Sequence, residues 1–152
     1  MPDALDAVSP LDGRYARRTA PLREYASEAA LMRARVRVEV EYLCALADLD
    51  ALPLDLDADA RARLRALYED FDGGDARYVK RLETEGTEDR AATNHDVKAV
   101  EYFVRDRAAE DLGVGPWVHF ALTSEDVNNL AHRLLTTGAV ESVLLPELRD
   151  VR

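Results

Sequence analysis

Hydrophobic positions recur at helical spacing along most of this chain, and short polar stretches divide them into segments. Residues 1–20, interrupted by Pro2, Pro10 and Gly13, keep no sustained period and are expected to form an ordered loop or meandering arm. From Pro21 to about Leu49 the pattern predicts a helix: Leu31, Val38, Tyr42, Leu43 and Leu46 share one side, and Arg33, Arg35, Arg37, Glu39 and Glu41 are assigned to solvated faces. Pro53 breaks it. Asp57 or Asp59 starts a second helix through Leu64, Leu67 and Tyr68 to about Phe71, with Asp72, Gly73 and Gly74 as its stop signal. A shorter helix over 76–82 leads into an acidic connection, TEGTEDRAA, expected to be mobile.

Residues 93–102, TNHDVKAVEY, are the clearest polar start of a helix. Thr93 or Asn94 is the expected cap, and Val97, Ala99, Val100, Phe103 and Val104 carry an apolar stripe to about Leu112. His95 and Asp96 are thereby held at a helix mouth, a place where anions bind. Gly113, Gly115 and Pro116 make the sharpest break. The apolar run 117–122 that follows is expected to be buried, with His119 as a hydrogen-bonded core residue. Thr123 and Asp126 have capping-box spacing. Val127, Leu130, Leu134, Leu135, Val140, Val143, Leu144 and Leu148 continue as a broad stripe down a long helix that Pro146 is placed to kink. So wide a stripe calls for a helical bundle to cover it, and residues 1–152 supply none, which marks the chain as an expected fragment. The predicted class is all-α: a small helical N-terminal domain over 1–112, then the truncated start of a long-helix bundle domain over 113–152.

Composition sharpens this picture. Hydrophobic residues make up 47% and charged residues 33% of 152, the balance of a folded helical domain. A net charge of -10, with every arginine cluster interleaved by acids, argues against nucleic-acid and membrane partners. Lysine occurs only at Lys80 and Lys98, and the acidic surface fits either ordinary solubility charge or a salty habitat. The single cysteine, Cys44, lies among apolar neighbours and excludes an internal disulfide framework. No leader segment and no span of roughly 20 apolar residues is present, so a cytoplasmic location is expected.

Three places carry groups suited to anionic oxygen: Arg14 with Tyr15 in DGRY, Asn94 with His95 and Asp96, and Thr123 with Ser124. Arginine offers a planar donor fork, and the other two sites open helices. His95 and Asp96 are adjacent and expected to point apart, and no metal-ligand spacing occurs, so no metal site is predicted. Gly-rich phosphate loops and nucleophile elbows are also missing, and no cofactor is expected.

The phrases AVSPLDGRY at 7–15, TNHDVKAVEYF at 93–103 and HFALTSEDVNNLAH at 119–132, in that order, resemble the N-terminal third of the adenylosuccinate lyases, in the fumarase and aspartase superfamily. The resemblance implies β-elimination of fumarate from adenylosuccinate, giving AMP, and from the succinylated imidazole carboxamide intermediate of purine biosynthesis. It also implies a cytoplasmic homotetramer whose sites draw on three subunits. Carried over by motif, Arg14 and Tyr15 bind the phosphate end of the nucleotide. Asn94, His95 and Asp96 line the substrate pocket, and Thr123 and Ser124 hold a succinyl carboxylate. The family's acid, a His in a THGQP-like segment, and its base, a Ser in a mobile signature loop, match nothing in residues 1–152. This chain alone is therefore expected to be inactive. The acidic connection before Thr93 looks longer than usual for the family. Lys98 matches the motif but is assigned to a salt bridge. Two alternatives remain: a sister lyase acting on another succinyl or amino-acid substrate, and a helical interaction module that has lost catalysis.

Overall fold

The computed structural model describes residues 5–151; Pro2 and Arg152 lie outside the described residues. The described chain is predominantly helical, in agreement with the all-α expectation. Its helices are α1 (Arg23–Ala26), α2 (Glu28–Leu46), α3 (Ala58–Glu69), α4 (Gly73–Thr84), α5 (Asp96–Leu112), α6 (Ser124–Ala139) and α7 (Leu145–Asp150). A two-stranded antiparallel hairpin, β1 (Gly86–Thr87) and β2 (Arg90–Ala91), joins α4 to α5.

Residues 5–19 form a chain of turns, with Tyr15 N–H donating to the Pro10 carbonyl and the Thr19 hydroxyl to that of Leu11. The helix predicted from Pro21 is divided: Ser27 adopts an extended ψ of 159° and its hydroxyl accepts from the Ala30 amide, so it caps α2. Asp57 caps α3, as its sequence position indicates. Asp72, Gly73 and Gly74 start a helix instead of stopping one. Asp72 accepts from the Gly74 and Asp75 amides while Asp75 reaches back to the Asp72 amide, a reciprocal cap strong enough to seat two glycines in the first turn of α4.

The acidic connection is likewise ordered. Gly86 has φ +83° and no room for a Cβ against the Arg90 and Ala91 backbone. Arg90 forks onto both Asp106 oxygens at 3.0 and 3.1 Å and lies 4.0 Å from the Tyr102 ring centre.

Helix α2 runs through the middle, and its surroundings correct the assignment of its charges to solvated faces. Ala34, Val36, Val38, Val40, Leu43, Cys44 and Leu46, all buried, together cover all sides of the helix at 100° per residue, so Arg35 and Glu39 are buried with them. One core cluster packs α2 against α3, α4 and α5 around Phe103, Leu43, Leu64 and Leu82. A smaller one, Ala34, Val38, Val97, Val127 and Ala131, fastens the first turns of α5 and α6 to α2. Each buried valine there contributes about 1.5 kcal/mol or more of apolar burial.

Gly138 of α6 receives the ring of α1 residue Tyr25; a Cβ would stand 2.5 Å from Tyr25 Cε1. In the 117–122 run Val118 is buried, but Phe120 is 44% exposed and packs edge-on against Trp117. After α6 a π-helical turn, Val140–Leu144, carries the rod into α7 without a break in helical dihedrals. The wider turn absorbs Pro146, which has no amide to donate and whose ring would crowd a regular α turn. Leu130, Leu134, Leu144, Leu145 and Leu148 remain exposed along this rod. No helix among the described residues is long and apolar enough to cross a membrane.

Candidate functional site

The α5 start is organised differently from the expected Thr93 or Asn94 cap. His95 is the cap residue: its carbonyl accepts from the Ala99 amide at 3.0 Å and its Nδ1 accepts from the Lys98 amide at 3.3 Å. Thr93 braces the turn, its hydroxyl donating to the His95 carbonyl and accepting from the His95 amide. Asn94 takes φ +48°, and the Thr93 and Asn94 amides bond to the Leu82 and Glu83 carbonyls at the end of α4. Because a cap side chain folds back over the first turn, His95 Nδ1 comes within 3.7 Å of Asp96 Oδ1, so the two side chains do not point apart.

Asp96 is held on both oxygens. Oδ1 accepts from the Val97 amide at 2.8 Å and Oδ2 from Arg35 Nη2 at 2.7 Å. Partial burial pushes its carboxyl up, but the Val97 amide, the Arg35 guanidinium and His95 outweigh that and leave it below its ordinary value. Arg35 turns its Nε to Asn128 Oδ1 at 2.9 Å. One guanidinium from α2 thus ties the α5 start to the first turns of α6. Asn128 lies one turn beyond Ser124 on the same face of α6.

Thr123 forms the capping box that its spacing predicts. Its amide donates to Asp126 Oδ2 at 2.7 Å, and its hydroxyl contacts both the Asp126 carboxylate and the Asp126 amide. Those bonds from the Thr123 amide and hydroxyl keep the Asp126 carboxyl below its ordinary value. Ser124 is half-buried at the first helical position, and its hydroxyl makes no hydrogen bond among the described residues.

These groups fall into three places. Asn94, His95 and Asp96 line a cleft of about 380 Å³ with Arg35, Met32 and Glu83. Lys80 stands beside it, its Nζ bonded to Glu28 and Glu83. Thr123 and Ser124 lie outside that cleft but are coupled to it through Asn128 and Arg35. Arg14 and Tyr15 stay apart in the N-terminal turns, the guanidinium 4.6 Å from its neighbour's ring centre, with no bond to the other two places among the described residues. Lys98 makes the assigned salt bridge, 2.7 Å to Glu101 Oε2.

The donors free to meet a ligand's oxygen at the cleft are few. The α5 amides of Val97 and Lys98 are already taken by Asp96 and His95, and the Asn94 backbone amide by Glu83, so anion recognition there falls to the Asn94 side-chain amide and His95 Nε2. Arg35, Asn128 and His119 were not among the site residues the motifs indicated. The alternation of Arg35, Val36, Arg37, Val38, Glu39 and Val40 was the available signal, since a helix apolar on every side buries its charges too.

Comparison with known proteins gives the chain's family. Residues 13–152 match the lyase family. The chain is 42% identical to the adenylosuccinate lyase of Vibrio cholerae over 97% of its length. It is 42% identical to that of Haemophilus influenzae over 94%, and 41% identical to that of Dictyostelium discoideum over 96%. It spans about a third of the length of these curated relatives, 31–32% of each. With the family match covering all but its first residues, this chain belongs to the lyase family.

Proposed function

We propose that residues 1–152 are the substrate-gathering part of an adenylosuccinate lyase, which cleaves adenylosuccinate to AMP and fumarate and removes fumarate from the succinylated imidazole carboxamide intermediate. The observation that carries this is the pairing of two polar helix starts through Arg35, which leaves the Asn94 side chain, His95 Nε2 and the Ser124 hydroxyl without protein partners among the described residues. A substrate with a phosphate and two succinyl carboxylates needs such separate donor sets.

In the elimination, a base removes the proton on the carbon beside a carboxylate. That electron pair becomes the C=C bond of fumarate, and the C–N electrons leave with the nitrogen, which an acid protonates. Charge grows on the carboxylate while the carbanion forms. Ser124, with the unpaired amides opening α6, holds that carboxylate, and preorganised donors of this kind account for much of the rate. His95 and Asn94 orient the substrate at the cleft, with the Lys98 amide fixing the His95 ring. Arg14 and Tyr15 take the phosphate once the N-terminal turns meet the rest of the site. The His acid and Ser base of the family come from segments other than residues 1–152, and no metal or cofactor takes part.

We assign 1–112 to the N-terminal helical domain and 113–152 to the start of a central bundle. Exposed Leu130, Leu134, Leu144 and Leu148 are then bundle positions, in a cytoplasmic homotetramer whose sites combine three subunits. Purified residues 1–152, mixed with adenylosuccinate, should release no fumarate, whereas the complete natural polypeptide should. Fumarate release by the isolated chain would refute the division of labour. A complete polypeptide that binds no nucleotide would favour the interaction module instead.

A further inference from the structure

A second polar cluster lies under the loop that leads into α6, away from the cleft. Glu39 of α2 is fully buried and grips His119 twice: Oε2 accepts the His119 amide at 3.2 Å, and Oε1 lies 2.6 Å from Nδ1. Glu101 of α5, 4% exposed, faces the other ring nitrogen, with Oε1 3.6 Å from Nε2. Lys98 and Arg105 stand on Glu101 Oε2 at 2.7 and 4.0 Å, and Arg105 Nη2 also donates to the Val118 carbonyl at 3.3 Å. Glu39, Glu101 and Arg105 converge on residues 118 and 119, the nearer of which is five positions before Ser124.

The backbone there is strained. His119 has φ +61° and Ala121 φ +58°, two residues with side chains in the left-handed region within three positions. The left-handed region crowds a Cβ against the following carbonyl, so something must hold both residues there. A buried carboxylate is an expensive way to stabilise a core, since apolar packing of equal volume does as well. What it supplies here is direction: a bidentate grip fixes both the backbone and the ring of one residue.

We propose that Glu39 and His119 are positioning residues, a carboxylate–imidazole latch braced by Glu101, Lys98 and Arg105. The latch holds the left-handed loop 119–121 so that Thr123 and Ser124 present the α6 start to a substrate carboxylate. The proposal rests on the role given above to Ser124. Burial pushes the Glu39 carboxyl above its ordinary range while its bonds to His119 pull it back. In the latch as proposed, Nδ1 donates to an ionised Glu39 Oε1, so a neutral imidazole is the Nδ1–H form, the opposite of His95, whose Nδ1 accepts.

The test uses the complete natural polypeptide containing these residues. Glu39→Gln keeps an acceptor for Nδ1–H but turns an NH₂ toward the His119 amide. His119→Asn keeps a residue that tolerates positive φ and removes the ring. Each should lower kcat for adenylosuccinate cleavage about ten-fold with KM within about two-fold. A lowered melting temperature at unchanged kcat would overturn the latch as a positioning device. Imidazole ¹⁵N shifts of wild-type His119 need no variant: an Nδ1–H or doubly protonated ring is required, and an Nε2–H ring at neutral pH would overturn the proposal. Should the wild type fail to cleave adenylosuccinate, the functional assignment fails by itself. The latch is then decided by whether Glu39→Gln moves the Thr123 and Ser124 amide resonances; unmoved resonances would sink it.

Discussion

The starts of α5 and α6 are written in almost the same letters, Thr-Asn-His-Asp at 93–96 and Thr-Ser-Glu-Asp at 123–126, yet they are built in different ways. In the second, Thr123 caps and Asp126 closes the reciprocal bond, so the motif is complete within four residues. In the first, the cap passes to His95, Thr93 becomes a brace and Asp96 looks across to Arg35 on another helix. A self-contained cap leaves its neighbour Ser124 free. A cap that leans on a distant guanidinium makes the geometry of one site depend on the packing of α2, α5 and α6 together.

Removing the shared support should separate the two most. Arg35→Met leaves Asp96 without its cation and Asn128 without a donor, and should destabilise the chain by about 2 kcal/mol in urea unfolding. That is below the roughly 3–5 kcal/mol of pairs buried on both sides, because Asp96 is half-exposed to water. Thr123→Ala should cost about 1 kcal/mol, the ordinary loss of a cap, and should leave α5 amide exchange unchanged. An effect of Thr123→Ala on α5 protection equal to that on α6 would mean the caps are not separate. His95→Ala should cost only about 0.5 kcal/mol because its bond to the Lys98 amide is long, and His95→Asn should restore most of it.

The smallest difference is one of pH. Asp96 and Asp126 both have folded pKa values below the ordinary 3.8. Their contribution is therefore present above about pH 4 and is lost as pH falls through the lowered values. Arg35→Met should flatten the Asp96 part of that acid limb, and Thr123→Ala the Asp126 part. Acid limbs unchanged in both variants would show that neither partner sets the carboxylate.

Sequence periodicity located most of the helices, because an apolar stripe is a local signal and most of these helices bury one face. It misjudged places where a local signal has two meanings. Ser27 sits inside an unbroken helical period, so the period hid a cap. Asp72 followed by two glycines resembles a helix end, but Asp75 three residues later was the sign of a start. The acidic 84–92 segment reads as a mobile tether from sequence alone because its order comes from Arg90 meeting Asp106, a pairing across 16 residues that no window displays. In the candidate site, residue types and order were legible. The groups that hold them were not: Arg35 and Glu39 became visible as buried only once a helix apolar on every side was recognised as central.

The π turn at Val140–Leu144 has a consequence for whatever covers the long rod. A turn with one residue more than its α counterpart lets every later side chain lag by about 100°, one residue of helical rotation. Leu148 therefore does not continue the line of Leu130 and Leu134 as a plain count along the sequence would place it. The apolar seam bends around the rod at that point like a thread changing pitch, and a helix lying straight along the first half cannot lie straight along the second. Deleting one residue within 140–144 would bring the two halves back into phase, at the cost of returning Pro146 to a turn that has no space for it.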